Sequence, residues 1–183
     1  LIAVDGGYKI LRLLDLSPHW LIGDLDSVSQ SAIRSMRSSG VRIQQFPAEK
    51  DETDLELAVL HALGLGCASI LLVGMLGGRI DHILGNIHLL EDPRFAHLEL
   101  RADDGLTEIC LVNEMLTLNG TPGDLVSLIP LSETVQGVTT YKLKYPLLAE
   151  TLNRWQTRGI SNEMLDDTAL VKVEQGSLIC IHI

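Results

Sequence analysis

Residues 41–64 read VRIQQFPAEKDETDLELAVLHALG, and the way this stretch divides decides the fold. Val41 to Phe46 is a short run with branched apolar residues, the composition of a strand. Leu55, Ala58, Val59, Ala62 and Leu63 fall at i, i+3, i+4, i+7 and i+8, which is the apolar stripe of a helix. Thr53 and Glu56 make a T-x-x-E capping box at its start, and Gly64 supplies its stop. The stretch is therefore strand, loop and helix, one α/β unit.

The same unit recurs outward. Upstream, LIAV (1–4) is a buried strand, and DGG opens a segment with Ile10, Leu11 and Leu14 at helical spacing. HWLIG (19–23) is a second strand, followed by a helix capped by Ser27 or Ser29, with Ala32, Ile33 and Met36 on one face and Gly40 as its stop. Downstream, SILLVG (69–74) leads into GRIDHILGNIHLL (78–90), with Ile80, Ile83, Leu84 and Ile87 turned inward. This alternation predicts a mostly parallel sheet with helices on both faces. Near residue 100 the texture changes. β-rich runs at 107–112, 124–129, 168–173 and 177–183 are separated by turn signals such as NGTPGD and EQG. The expected fold class is α/β plus all-β: an α/β domain over 1–103, then a β-sandwich over 104–183.

Bulk properties narrow the function. A chain of 183 residues with 46% hydrophobic residues can bury a sizeable core. A net charge of −10 argues against nucleic acid, whose phosphates demand a basic surface. No apolar run approaches a bilayer span and no signal segment opens the sequence, so a soluble protein without membrane partners is expected. Cys67, Cys110 and Cys180 are odd in number and set in or beside apolar sequence, which suits buried reduced thiols and a cytoplasmic setting.

In a parallel α/β sheet, ligands gather at the carboxyl ends of the strands. All four loops there are chemically loaded. The first carries Asp5, Gly6 and Gly7; the second, in GDLDS, Asp24, Asp26 and Ser27; the third Lys50, Asp51 and Asp54; the fourth Gly74, Gly77, Gly78, Arg79 and Asp81. On an extended backbone Asp24 and Asp26 would share one face, although a polar turn gives the same composition. The capping box accounts for Thr53 and Glu56 and for part of Asp54, leaving Lys50 and Asp51 unexplained. His82 reads as structural. Oxygen-only ligands suit Mg²⁺ bridging to substrate phosphates, and Lys50 and Arg79 are cations for charge developing in phosphoryl transfer.

DGG, GDLDS, EKDETDLELA and GGRIDH, in that order, resemble the motifs of the thiamine pyrophosphokinases. PGDLVSLIPL (122–131), GVTTYKLKYPL (137–147) and RGISNE (158–163) resemble that family's C-terminal segments. Family members usually carry a further strand and a glycine-bearing loop ahead of DGG. The resemblance implies transfer of the terminal pyrophosphoryl group of ATP to the hydroxyethyl oxygen of thiamine, with release of AMP, by a homodimer. It implies that Asp24, Asp26 and Asp54 organise Mg²⁺ and the reacting phosphates, with Asp5 nearby and Lys50 catalytic beside them. Asp5, Gly6, Gly7, Asp51, Arg79 and Asp81 would serve the nucleotide. Ser161 and Asn162 would hydrogen-bond the aminopyrimidine, facing the carboxylates of the partner chain. Trp155 either stacks on the ligand or sits in the core. Two other readings stay open: a Mg²⁺-dependent phosphohydrolase with Asp24 as nucleophile, and a non-catalytic nucleotide or thiamine binder.

Overall fold

The computed structural model describes residues 1–183 and divides into two compact units, Leu1–Ala68 and Ser69–Ile183. In chain order the first contains β1 (Ile2–Val4), α1 (Tyr8–Leu13), β2 (Trp20–Gly23), α2 (Gln30–Ser38), β3 (Arg42–Gln45) and α3 (Asp54–Gly64). The strands form a parallel sheet in the order β1-β2-β3, with Ala3 opposite Leu21 and Leu21 opposite Ile43. That row packs against Tyr8 and Leu11 of α1 and Ile33 and Met36 of α2. Ile22, which alternation turns the other way, is also fully buried, and α3 packs on β1 and β2 with Ala58, Val59 and Ala62 buried. Both faces are covered, as a parallel sheet requires. Of the two candidate caps of α2 it is Ser29 that serves, its Oγ accepting the Ala32 N–H at 3.2 Å. Thr53 caps α3 as expected, accepting from the Glu56 N–H at 3.2 Å.

The second unit contains β4 (Ser69–Val73), α4 (Ile80–Leu89), β5 (Glu99–Asp103), β6 (Glu108–Val112), β7 (Met115–Asn119), β8 (Leu125–Pro130), β9 (Thr134–Tyr141), β10 (Glu150–Asn153), β11 (Asn162–Glu163), β12 (Thr168–Lys172) and β13 (Leu178–His182). Two sheets, ordered β11-β8-β13-β6-β5-β4 and β10-β9-β12-β7, enclose one core that includes Val126, Leu128, Val135, Val138, Leu152, Val171 and Leu178. The fourth strand, expected beside the first three, instead pairs with β5 in parallel, and β5 runs antiparallel to β6. In α4 the predicted inward set divides: Ile83 and Ile87 are half-buried, whereas Ile80 and Leu84 are exposed. In α1, Leu11 packs inward and Ile10 and Leu14 are exposed. No helix is long and apolar enough to cross a membrane.

Cys110 and Cys180 are buried, and Cys67, expected to be buried, is exposed. The buried two face each other across β6 and β13. Leu125 and Ile183 exchange both backbone hydrogen bonds, so alternation turns the polar groups of Cys180 toward β6 and makes Cys110–Cys180 a hydrogen-bonded pair. At such a pair the Cβ atoms stand about 5.5 Å apart, beyond disulfide reach. Burial, the main cause, pushes both thiols up to about 12. They are packed, reduced thiols.

One glycine fixes the approach to β11. Gly159 has φ +101°, its carbonyl accepts the Leu128 N–H at 2.9 Å, and a Cβ there would lie 2.8 Å from the Leu128 carbonyl oxygen. Gly159→Ala is expected to lower the unfolding free energy by about 1–3 kcal/mol, through left-handed strain and loss of that contact. Urea denaturation checks it, and an unchanged midpoint would show the backbone there to be slack.

Candidate active site

In the first unit the loaded loops converge at the carboxyl ends of the strands. β1 ends directly in a tight turn, Asp5–Gly7, with Asp5 at φ 42°. β2 ends at Gly23, where a Cβ would stand 3.1 Å from the Asp5 Cβ, so glycine lets the two loop ends come together. GDLDS is not extended: of the two readings its composition allowed, it takes the turn. Leu25 adopts φ 67° and buries its side chain to 4% exposure, while the Asp26 N–H donates to Asp24 Oδ1 at 3.0 Å. A turn anchored by one apolar side chain thus brings the carboxylates together. One oxygen from each of Asp5, Asp24 and Asp26 lies within 4.8 Å of the others. Gln45, at the end of β3, donates to the Asp24 carbonyl at 3.1 Å and ties the third strand to this loop.

Charge crowding shows in the titration of Asp26. The neighbouring Asp24 carboxylate holds its pKa above the ordinary carboxylate value, with burial and Asp5 adding to the effect. Asp5 Oδ1 and Ser27 Oγ are buried without a hydrogen-bond partner in the chain. Three acidic groups, no cation among them and an orphaned carboxylate oxygen fit a hard divalent ion such as Mg²⁺. Asp54, expected in the metal set, stands outside this trio. Its Oδ1 lies 3.1 Å from Lys50 Nζ, an ion pair whose alignment falls short of a hydrogen bond, and Lys50 also donates to the Pro47 carbonyl at 3.0 Å. Asp51 is exposed on the loop before α3. Asp5, expected near the metal set, is the third carboxylate brought to Asp24 and Asp26.

In the second unit, Gly74 and Gly78 take φ 78° and 90°, and the loop leads into the uncapped N-terminus of α4. The Arg79 guanidinium grips Asp81 through Nε at 3.1 Å and Nη2 at 2.5 Å, and this bond, above all, holds Asp81 down to about 2. Both side chains are largely exposed, so the fork can be shared with another anion. His82 donates only its backbone N–H, to Asp81.

RGISNE is held on both sides. Ser161 has φ 58°, an exposed side chain and an N–H donated to Ser127 Oγ at 3.0 Å. Asn162 is buried to 5% exposure, its amide hydrogen-bonded to the backbone of Tyr145. Tyr145, which the sequence did not single out, stands 55% exposed on that pinned loop. Trp155 is no core residue. It is 68% exposed and lines an open hollow of about 350 Å³ with Glu133 and Arg154.

Two family models match the chain in tandem: "Thiamin pyrophosphokinase, catalytic domain" over residues 1–102 and "Thiamin pyrophosphokinase, vitamin B1 binding domain" over residues 114–178. The chain is 32% identical over 183 residues to a protein of Bacillus subtilis (strain 168) named thiamine pyrophosphokinase, covering 99% of this chain and 86% of that one. The crystal structure of thiamine pyrophosphokinase from Bacillus subtilis superposes with a TM-score of 0.88 at 31% identity, again covering 99% and 86% of the two chains. That of a thiamin pyrophosphokinase family protein from Enterococcus faecalis gives 0.89 at 28% identity, over the same shares.

The crowded trio has a thermodynamic signature. Since folding raises the pKa of Asp26, ionising it destabilises the folded state: the cost is absent below the unfolded pKa and complete once pH passes the raised folded value. At pH 7.5 without divalent ions, Asp26→Asn should therefore melt at or above the wild-type temperature. Millimolar Mg²⁺ should raise the wild-type Tm and leave the variant almost unmoved. A wild-type Tm indifferent to Mg²⁺, read by calorimetry, would remove the trio as a cation site.

Proposed function

The chain belongs to the thiamin pyrophosphokinase family, and from that premise we infer that it transfers the pyrophosphoryl group of ATP to the hydroxyl of thiamine, giving thiamine diphosphate, AMP and a proton. The observation that carries this reading is the convergence of Asp5, Asp24 and Asp26 within 4.8 Å in the half matched by the catalytic-domain model, with the vitamin B1 binding model over the other half. A division of labour between 1–103 and 104–183 fits those two matches.

Asp5, Asp24 and Asp26 would hold Mg²⁺, with Asp54 as a further carboxylate of the set, and the ion when bound would supply positive charge to the phosphates. Lys50, paired with Asp54 and donating to the Pro47 carbonyl, would direct its ammonium to the nucleotide, and Asp51, exposed on the same loop, would bind beside it. Gly7 leaves the turn after β1 open to close approach, whereas a Cβ at Gly6 would stand 3.3 Å from Ser27 Oγ, so Gly6 lets the first two loops pack together beside the phosphates. Arg79 and Asp81, with the glycine loop before α4, serve the phosphates through guanidinium and backbone N–H groups. Ser161, Tyr145 and Trp155 offer a hydroxyl and two exposed aromatic rings to an aromatic, cationic acceptor, with Asn162 buried next to Ser161. Attack by the thiamine oxygen on the β-phosphorus breaks its bond to the bridging oxygen that leaves with AMP, so positioning supplies much of the rate. ATP as co-substrate and the reduced buried thiols favour a cytoplasmic setting.

Purified protein with ATP and Mg²⁺ should release AMP only when thiamine is present. Orthophosphate without acceptor would instead support a hydrolase using Asp24, and binding without AMP a non-catalytic module. Asp26→Asn should keep its fold and lose at least about a hundredfold in turnover, because removing a charge-stabilising group costs several kcal/mol of transition-state stabilisation. Near-normal turnover at saturating Mg²⁺ would sink the assignment.

The protein acts as a homodimer in which the acceptor side of one chain serves the carboxylates of its partner. An Asp26→Asn chain mixed with a Ser161→Ala, Tyr145→Ala chain should then recover activity well above either parent. A mixture that exchanges subunits, shown by mass spectrometry, and stays inactive would place the whole site within one chain.

A further inference from the structure

The chain has two buried polar side chains, Thr140 at 2% exposure and Asn162 at 5%, and both clasp the same tripeptide. Asn162 Oδ1 accepts the Tyr145 N–H at 2.9 Å, and its Nδ2 donates to the Tyr145 carbonyl at 2.7 Å. Thr140 Oγ1 accepts the Leu147 N–H at 2.9 Å, and its own N–H donates to the Leu147 carbonyl at 3.0 Å. Between the clasped residues stands Pro146, whose φ is fixed by its ring. The Asn162 amide thus pairs with Tyr145 as a neighbouring peptide unit would. Its oxygen also accepts the Glu163 N–H at 3.0 Å, so both lone pairs and one of its two N–H groups are engaged.

The surroundings reinforce the clasp. Lys144 donates its backbone N–H to the Glu163 carbonyl at 2.9 Å and its ammonium to the Glu163 carboxylate at 2.7 Å. Leu165 donates to the Lys142 carbonyl at 2.9 Å, and Leu143 bridges Met164. What emerges from this rigid frame is the ring of Tyr145, 55% exposed, and the side chain of Ser161, one residue from Asn162. Desolvating an amide and a hydroxyl only to hold a surface loop still makes sense where an exposed side chain needs a fixed place.

We propose that Asn162 is a positioning residue of the acceptor site: it leaves the ligand to its neighbours and acts by clamping the Tyr145–Leu147 segment so that the Tyr145 ring stands ready for thiamine. The role rests on the thiamine reading given above, but the clamp itself can be tested without it. It separates Asn162 from Ser161, whose hydroxyl is free to touch the acceptor.

The test is a double-mutant cycle on the full chain, with kcat, both KM values and Tm measured for Asn162→Ala, Tyr145→Ala and the pair. Asn162→Ala should raise the thiamine KM by about tenfold or more and leave the ATP KM within about twofold, and in the Tyr145→Ala background it should add almost nothing, as residues acting through one another do. Asn162→Asp keeps the acceptor oxygen for Tyr145 and Glu163 but loses the donor, so it should fall between wild type and alanine, and it serves if the alanine variant folds poorly. Multiplicative KM effects in the double variant would mean direct contact with thiamine and overturn the proposal. A lowered Tm with an unchanged thiamine KM would reduce Asn162 to a purely structural part. If wild type makes no AMP from thiamine, the functional reading fails separately and amide exchange decides the clamp: faster exchange at Tyr145 in Asn162→Ala with β7 and β12 unaffected upholds it, and unchanged protection at Tyr145 refutes it.

Discussion

Three carboxylates with oxygens inside 4.8 Å repel one another, and much of the first unit can be understood as the scaffold that holds them there. Loops alone would relax away from such crowding. Here each side chain is fixed by something stronger than its own preference. Asp5 follows a strand registered directly against β2, and Gly23 lets the two loop ends approach to van der Waals contact. Asp24 and Asp26 straddle Leu25, whose burial anchors the turn in the same apolar cluster that holds Ala3 and Leu21. Burying one leucine is worth roughly 1.5–3 kcal/mol, and that anchorage keeps the turn in place against the mutual repulsion of the carboxylates. The core beneath the loop thus holds the charges together. The raised proton affinity of Asp26 is the residual sign of that tension.

The second unit solves the opposite problem. Its two buried polar side chains make attractive hydrogen bonds, and these keep an otherwise free loop in place. Asn162 and Thr140 each replace a missing strand neighbour for the segment around Pro146, which cannot join a ladder through its own nitrogen. Repulsion held by an apolar anchor and exposure held by buried hydrogen bonds have a common result, since both arrangements are fixed in advance by the fold.

How much of this the sequence disclosed follows from the range of the forces involved. The helix over 54–64 and its Thr53 cap were legible because capping and amphipathic spacing are local, and so was the gathering of acidic residues after β1 and β2, which the parallel topology requires. The partner of β4 was not legible. A run such as SILLV satisfies a parallel sheet edge beside β1 or beside β5 equally well, and only the distant strand β6, antiparallel to β5, decides. The exposed faces of Ile80, Leu84, Ile10 and Leu14 escaped for a related reason: periodicity says which residues share a face, not whether anything covers it.

The carboxylate set shows the same limit more sharply. Asp54 sits in the first turn of α3, where the helix dipole and Lys50 both favour an anion, so its presence needed no metal to explain it. Asp5 had no such local reason to be where it is. An acidic residue directly after a buried strand, at φ 42° and with one oxygen lacking a partner, carries a local cost in folding. The residue with the weakest structural excuse is thus the one the fold brings to Asp24 and Asp26, while the residue with the best excuse is held by its neighbouring lysine. Asn162 inverts the case: its composition suggested a ligand donor, yet its amide is engaged by backbone that lies seventeen positions away in sequence, at Tyr145. A polar side chain is a candidate for ligand contact only after its obligations to the chain are met, and those obligations become visible when the fold reveals which distant backbone has no other partner.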